Sequence, residues 1–186
     1  MTKDYLESVD KQFRYYKMLG EKTFDQLSDE DLIWQYNEAS NSIAIIIKHL
    51  WGNMRSRWTD FLTMDGEKDF RDREAEFEGY IISREELLIK WNEGWKILFE
   101  ALASINESNS SQLVYIRNQG HTITEAINRQ LAHYAYHIGQ IVYLGRMIKG
   151  KDWESLSIPK GESERYNAEY FNKPKSKQHF TDDYFK

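Results

Sequence analysis

The stretch from Thr122 to Gly150, TITEAINRQLAHYAYHIGQIVYLGRMIKG, contains no proline and keeps an apolar spacing of three and four along its length. That pattern predicts one long helix. At about 100° per residue, His133 and His137 share a face one turn apart, where both imidazoles can reach a single cation. Ile123, Ile127, Tyr134, Ile138, Ile141 and Ile148 make the main apolar face, with the two histidines on its edge beside Ala126 and Leu144. Ala132, Ala135 and Gly139 form a second, small-residue face, and Tyr136 and Tyr143 flank a third. A bundle helix needs only one apolar stripe. The extra faces therefore predict a further packing partner, most economically a second copy in a two-fold homodimer.

Three other segments carry helical spacing. Asp4 to Leu19 places Leu6, Val9, Phe13, Tyr16 and Leu19 on one side, with Gly20 expected as the stop. The second long helix starts near Ser40–Ser42, and its stripe of Ile43, Ile47, Leu50, Met54, Trp58 and Phe61 is widened by Ile46. His49 lies on a flank of that stripe, on the same side as Asn53. The third helix opens on a capping box, Ser83 to Glu86, with Ile82 and Leu87 as a hydrophobic staple. Leu88, Trp91, Trp95, Leu98 and Leu102 continue it. Thr122 and Glu125 form a second capping box. Ser28 to Asp31 caps a single turn in the connector after the first helix.

The connections are less definite. Residues 63–80 alternate charge without a period and read as a solvated loop. Leu113 to Ile116 is a brief strand or an extended lead into the last helix. Trp153, Leu156 and Ile158 are placed to pin the start of a polar tail, whose final dozen residues, including His179, are expected to be mobile.

A net charge of −5 argues against a general nucleic-acid binder, and no apolar run approaches bilayer-spanning length. With no secretory signal pattern, a soluble cytoplasmic protein is the default expectation. Cysteine is absent, so a metal site would have to use imidazole, carboxylate or amide ligands. His49, on a different helix, makes a third imidazole available to the His133–His137 pair. Spacing alone leaves two readings: a metal triad between helices, or three satisfied core polars. The motif His133-Tyr-Ala-Tyr-His137 also lacks the glutamate of the zincin signature.

The segments NSIAIIIKHLWGNMRSRW, HTITEAINRQLAHYAYHIGQIVYLGRMIKG and LSIPKG, taken together, resemble the DinB-like superfamily of helical bundles and are most similar to its DUF1572 branch. The likeness runs to about Asn172. It implies an all-α fold, an up-down-down-up four-helix bundle over residues 1–172, with a polar C-terminal extension at 173–186. It also implies a divalent metal (zinc, nickel or iron) on His49, His133 and His137, and a homodimer. Some relatives in the superfamily are thiol transferases. By that analogy the chain is expected to be a metal-dependent transferase or hydrolase acting on a small molecule, with a low-molecular-weight thiol such as bacillithiol as co-substrate. Asn53, Arg57, Tyr134 and Gln140 are the candidates to line its pocket, Arg57 by gripping a carboxylate. The alternative is a non-catalytic, metal-stabilised binding or structural dimer.

Overall fold

Local hydrogen bonds start most of the helices. The computed structural model describes residues 3–78 and 83–185. In chain order these form α1 (Lys3–Phe24), α2 (Asp29–Ile33), α3 (Ile43–Trp58), α4 (Arg84–Ala103), the hairpin β1 (Leu113–Ile116) and β2 (Gln119–Thr122), α5 (Ile123–Lys149) and α6 (Ser163–Phe171). Ser28, Ser42, Ser83 and Thr122 each accept a hydrogen bond from the backbone N–H three residues on. At Ser28 and Thr122 an acidic side chain returns the bond to the cap. At Ser83 the cap is present, while the expected staple partner Ile82 lies outside the described residues.

Side-chain pairings fix the direction of each long helix. Tyr5 donates to Asn128, and Thr23 packs beside Gly145, so α1 and α5 run parallel. Phe24 meets Trp91 and Phe13 meets Trp95, so α4 runs antiparallel to α1. Trp51 bonds Glu93 and Met54 touches Gly94, which makes α3 parallel to α4. His49 faces His137, and Trp58 reaches Tyr134, so α3 opposes α5. The result is an up-down-down-up bundle. Its core is a continuous apolar cluster running from Val9 and Phe13 through Leu50, Trp91, Trp95 and Leu98 to Ile138 and Ile141.

Gly20 does not end α1, which continues to Phe24. A Cβ at Gly20 would lie 2.5 Å from the Trp91 indole, so the glycine admits a neighbouring ring instead of stopping the helix. Leu113–Ile116 is a strand, paired antiparallel with Gln119–Thr122. Its two-residue turn puts Arg117 and Asn118 at positive φ, as a primed hairpin turn requires. Asp65 braces that turn by accepting from both backbone N–H groups at 2.8 Å.

Trp153 packs against Gly145 at the end of α5, as expected for a pin. The chain beyond α6 folds back along α1. Lys11 pairs with Asp182 at 2.6 Å, Ser8 hydrogen-bonds His179 at 3.1 Å, Tyr15 packs edge-on to Tyr184 and Phe180, and Thr181 is fully buried. Among the described residues no helix is long and apolar enough to cross a membrane.

Candidate metal centre

His49 is the seventh residue of α3, and His133 and His137 sit mid-way along α5. The antiparallel packing of the two helices brings the three rings together. His133 Nε2 is 3.2 Å from His49 Nε2 and 3.1 Å from His137 Nε2. One ligand atom from each residue falls within 4.8 Å of the others. A tetrahedral ion with bonds of about 2.0–2.1 Å separates its nitrogens by about 3.3 Å, close to the two spacings from His133.

The far side of each ring decides what the near side can do. The Nδ1–H of His49 donates to Glu76 Oε2 at 2.8 Å, because an ionised carboxylate can only accept. That of His137 donates to Gln140 Oε1 at 2.8 Å. Both rings therefore present bare Nε2 lone pairs to His133. A proton on His133 Nε2 could serve only one of them. Three facing nitrogens with at most one proton among them suit a cation, and this is the observation on which the residues fit a divalent metal. His133 Nδ1 is buried with no partner among the described residues.

Electrostatics keeps the rings in ligand form. Burial, then the neighbouring His137 and His49, pushes His133 down from 6.5 to about 3. Burial and His49 push His137 down to about 4, against the Gln140 hydrogen bond. Both are neutral at physiological pH, as a ligating imidazole must be. Burial pushes the Glu76 carboxyl up, but the hydrogen bonds from His49 and Arg71 and the Arg71 charge outweigh it and hold Glu76 below the ordinary carboxylate range.

Glu76 is the functional residue that sequence pattern does not reveal. The charged loop containing it is not simply solvated: Lys68 and Glu76 are buried, and Arg71 grips Glu76 through Nε at 2.8 Å and Nη2 at 3.1 Å. Glu67 collects Arg57 and Arg117, each within about 3.2 Å. Alternating charge looks the same in sequence whether water or a buried partner solvates it, so pattern carries no signal here.

The pocket-lining candidates separate. Gln140 touches the triad through His137. Asn53 Oδ1 accepts from the Tyr134 hydroxyl at 3.0 Å, which also accepts from Trp58 Nε1 at 2.9 Å, and Tyr134 is wholly buried. The Arg57 guanidinium is engaged by Glu67, Ser56 and the Gly66 carbonyl. Gln130, one turn before His133, belongs to no sequence motif, yet it is buried and its Oε1 has no partner among the described residues.

A four-helix bundle with three convergent histidines from α3 and α5, His49 buried and the other two half-buried, defines a helical protein with a candidate metal centre. The chain belongs to the DUF1572 family, described as "Protein of unknown function (DUF1572)", whose model matches residues 1–162. Comparisons with curated proteins and with solved structures return no match.

Proposed function

We propose that this protein is a metalloprotein that binds one divalent ion through Nε2 of His49, His133 and His137 and works as a metal-dependent transferase or hydrolase. The observation that carries the metal reading is the convergence of three imidazole nitrogens, two of which have their protons held on the opposite side by Glu76 and Gln140. The chain's part is to hold His133 and His137 neutral, fix the tautomers of His49 and His137, and bring the three rings together. A divalent ion held by these imidazoles would keep its full charge and would lower the pKa of a bound water or thiol, supplying a nucleophile near neutral pH. The resemblance to the DinB-like superfamily, some members of which are thiol transferases, makes a low-molecular-weight thiol such as bacillithiol the co-substrate to try first, in a cytoplasmic protein. Zinc, nickel and iron all suit three imidazoles.

The proposal includes a homodimer along α5. The Cβ direction at Gly139 is open, while Tyr136 and Tyr143 stand mostly exposed on the same helix. Hole and knob on one surface make a patch that can pair with its own copy.

One observation favours the non-catalytic reading. Arg57 and Tyr134, two of the four candidates to line a pocket, are engaged inside the protein and are not free to grip a substrate. Elemental analysis of the purified protein, followed by a thiol-dependent activity screen with and without the metal found, separates the readings. Stoichiometric metal with thiol-dependent turnover supports the enzyme. Metal without turnover, whose removal lowers thermal stability, supports the structural role.

A further inference from the structure

Gly52 occupies the interior of α3, where glycine is disfavoured by about 1 kcal/mol relative to alanine. Its φ is not in the left-handed region, so the backbone does not call for glycine. Space does. A Cβ at position 52 would lie 2.8 Å from Glu76 Cδ and closer still to Oε1. The Glu76 carboxylate thus rests on bare helix backbone, one turn from His49.

The rest of the loop holds it there. Lys48 donates to the carbonyls of Ala75 at 3.1 Å and Glu78 at 2.6 Å, strapping the chain down on both sides of Glu76. Arg71, almost wholly buried, binds both carboxylate oxygens. Phe77 lays its ring beside His49, with centroids 5.0 Å apart and planes 31° from parallel. The carboxylate therefore has one orientation open to it, facing His49 Nδ1.

We propose that Gly52, Arg71 and Glu76 are a positioning unit that sets the metal affinity of the triad by holding the His49 proton on Nδ1, so that Nε2 offers its lone pair to the ion. This rests on the reading of the triad as a metal site. Glu76 faces away from the convergence point and acts through His49. Gly52 acts through Glu76 by leaving it room, and Arg71 acts by fixing its rotation and balancing its charge. Outer partners of this kind set metal affinity over about 10–100-fold.

The test measures zinc affinity by competition against a chromophoric chelator, with helical circular dichroism as the control for folding. Wild type is compared with His133→Ala, Gly52→Ala, Glu76→Ala and the Gly52→Ala/Glu76→Ala double variant. Gly52→Ala and Glu76→Ala should each weaken zinc about 10–100-fold, and the double variant should be no weaker than Glu76→Ala alone, because alanine at 52 then meets no carboxylate. In zinc-free protein, long-range proton–nitrogen spectra should show His49 protonated on Nδ1 in wild type and no longer held so in either single variant. Zinc affinity in Gly52→Ala equal to wild type, with His133→Ala impaired, would overturn the positioning unit and leave the metal site standing. The positioning unit is also overturned if Gly52→Ala costs as much in the Glu76→Ala background as in wild type, since Gly52 would then act on something else. Absence of zinc binding by wild type would overturn the metal site itself.

Discussion

The two seams flanking the bundle core are chemically opposite. Between α1 and α4 the contacts are aromatic: Phe24 meets Trp91 edge-on at 5.0 Å, and Phe13 packs on Trp95 at 6.4 Å. The indole N–H groups of Trp91 and Trp95 have no partner among the described residues. That seam tolerates two stranded donors because large rings fill its volume. Between α3 and α5 the contacts are His49, Asn53, His133, Tyr134 and His137, and nearly every polar atom is tied to a named partner. There the unpaired capacity includes nitrogens turned toward one another, beside His133 Nδ1 and Gln130 Oε1, which have no partner among the described residues. An apolar seam carries a fixed penalty for packing, whereas a seam of converging lone pairs holds a penalty that a cation removes.

The contrast can be broken first at the histidines. The triple variant His49→Ala, His133→Ala, His137→Ala should lose essentially all bound metal while keeping helical circular dichroism, and His137→Ala alone should lose most of it. Full metal content in the triple variant, by elemental analysis, would end the metal reading. The reciprocal change on the apolar seam, Trp95→Ala, should cost about 3–5 kcal/mol in urea denaturation. Its folded fraction should still carry metal in the wild-type ratio; loss of metal there would mean that the seams are not separable.

Acid sharpens the comparison further. In metal-free protein the folded-state pKa values of His133 and His137 lie below the ordinary 6.5, at about 3 and about 4. Above pH 6.5 both rings are neutral whether the chain is folded or not, and their contribution is intact. As pH falls from 6.5 toward 4, the unfolded chain takes up protons that the folded one refuses, so stability declines across that window. The urea midpoint should therefore drop between pH 7 and pH 5, and drop less in a His133→Leu, His137→Leu variant. An identical drop in that variant would assign the acid sensitivity to other groups. The smallest effect expected is on association: Gly139→Trp should shift sedimentation toward monomer without altering metal content, and an unchanged dimer would place the interface elsewhere.

Much of the bundle was legible in the chain. The caps at Ser42, Ser83 and Thr122 join groups three residues apart, and the stripes of α3 and α5 repeat within a single turn. The pairing of His133 with His137 was legible for the same reason. Gly20 misleads because a glycine that stops a helix and one that admits a distant tryptophan are the same letter. Glu76 stayed hidden because its partners, His49 and Arg71, reach it through a loop with no period of its own.

For the four long helices the sequence alone determined where they begin and which faces they present, since those depend on hydrogen bonds and side-chain contacts within about four residues; α6, in the polar tail, was not legible in that way. Tertiary structure alone decided that α3 opposes α5 with His49 level with the other two histidines, that Arg57 is held by Glu67, and that Glu76 lies on Gly52. Those outcomes are set by which surfaces meet when the four helices exclude water together, and no local spacing carries that information.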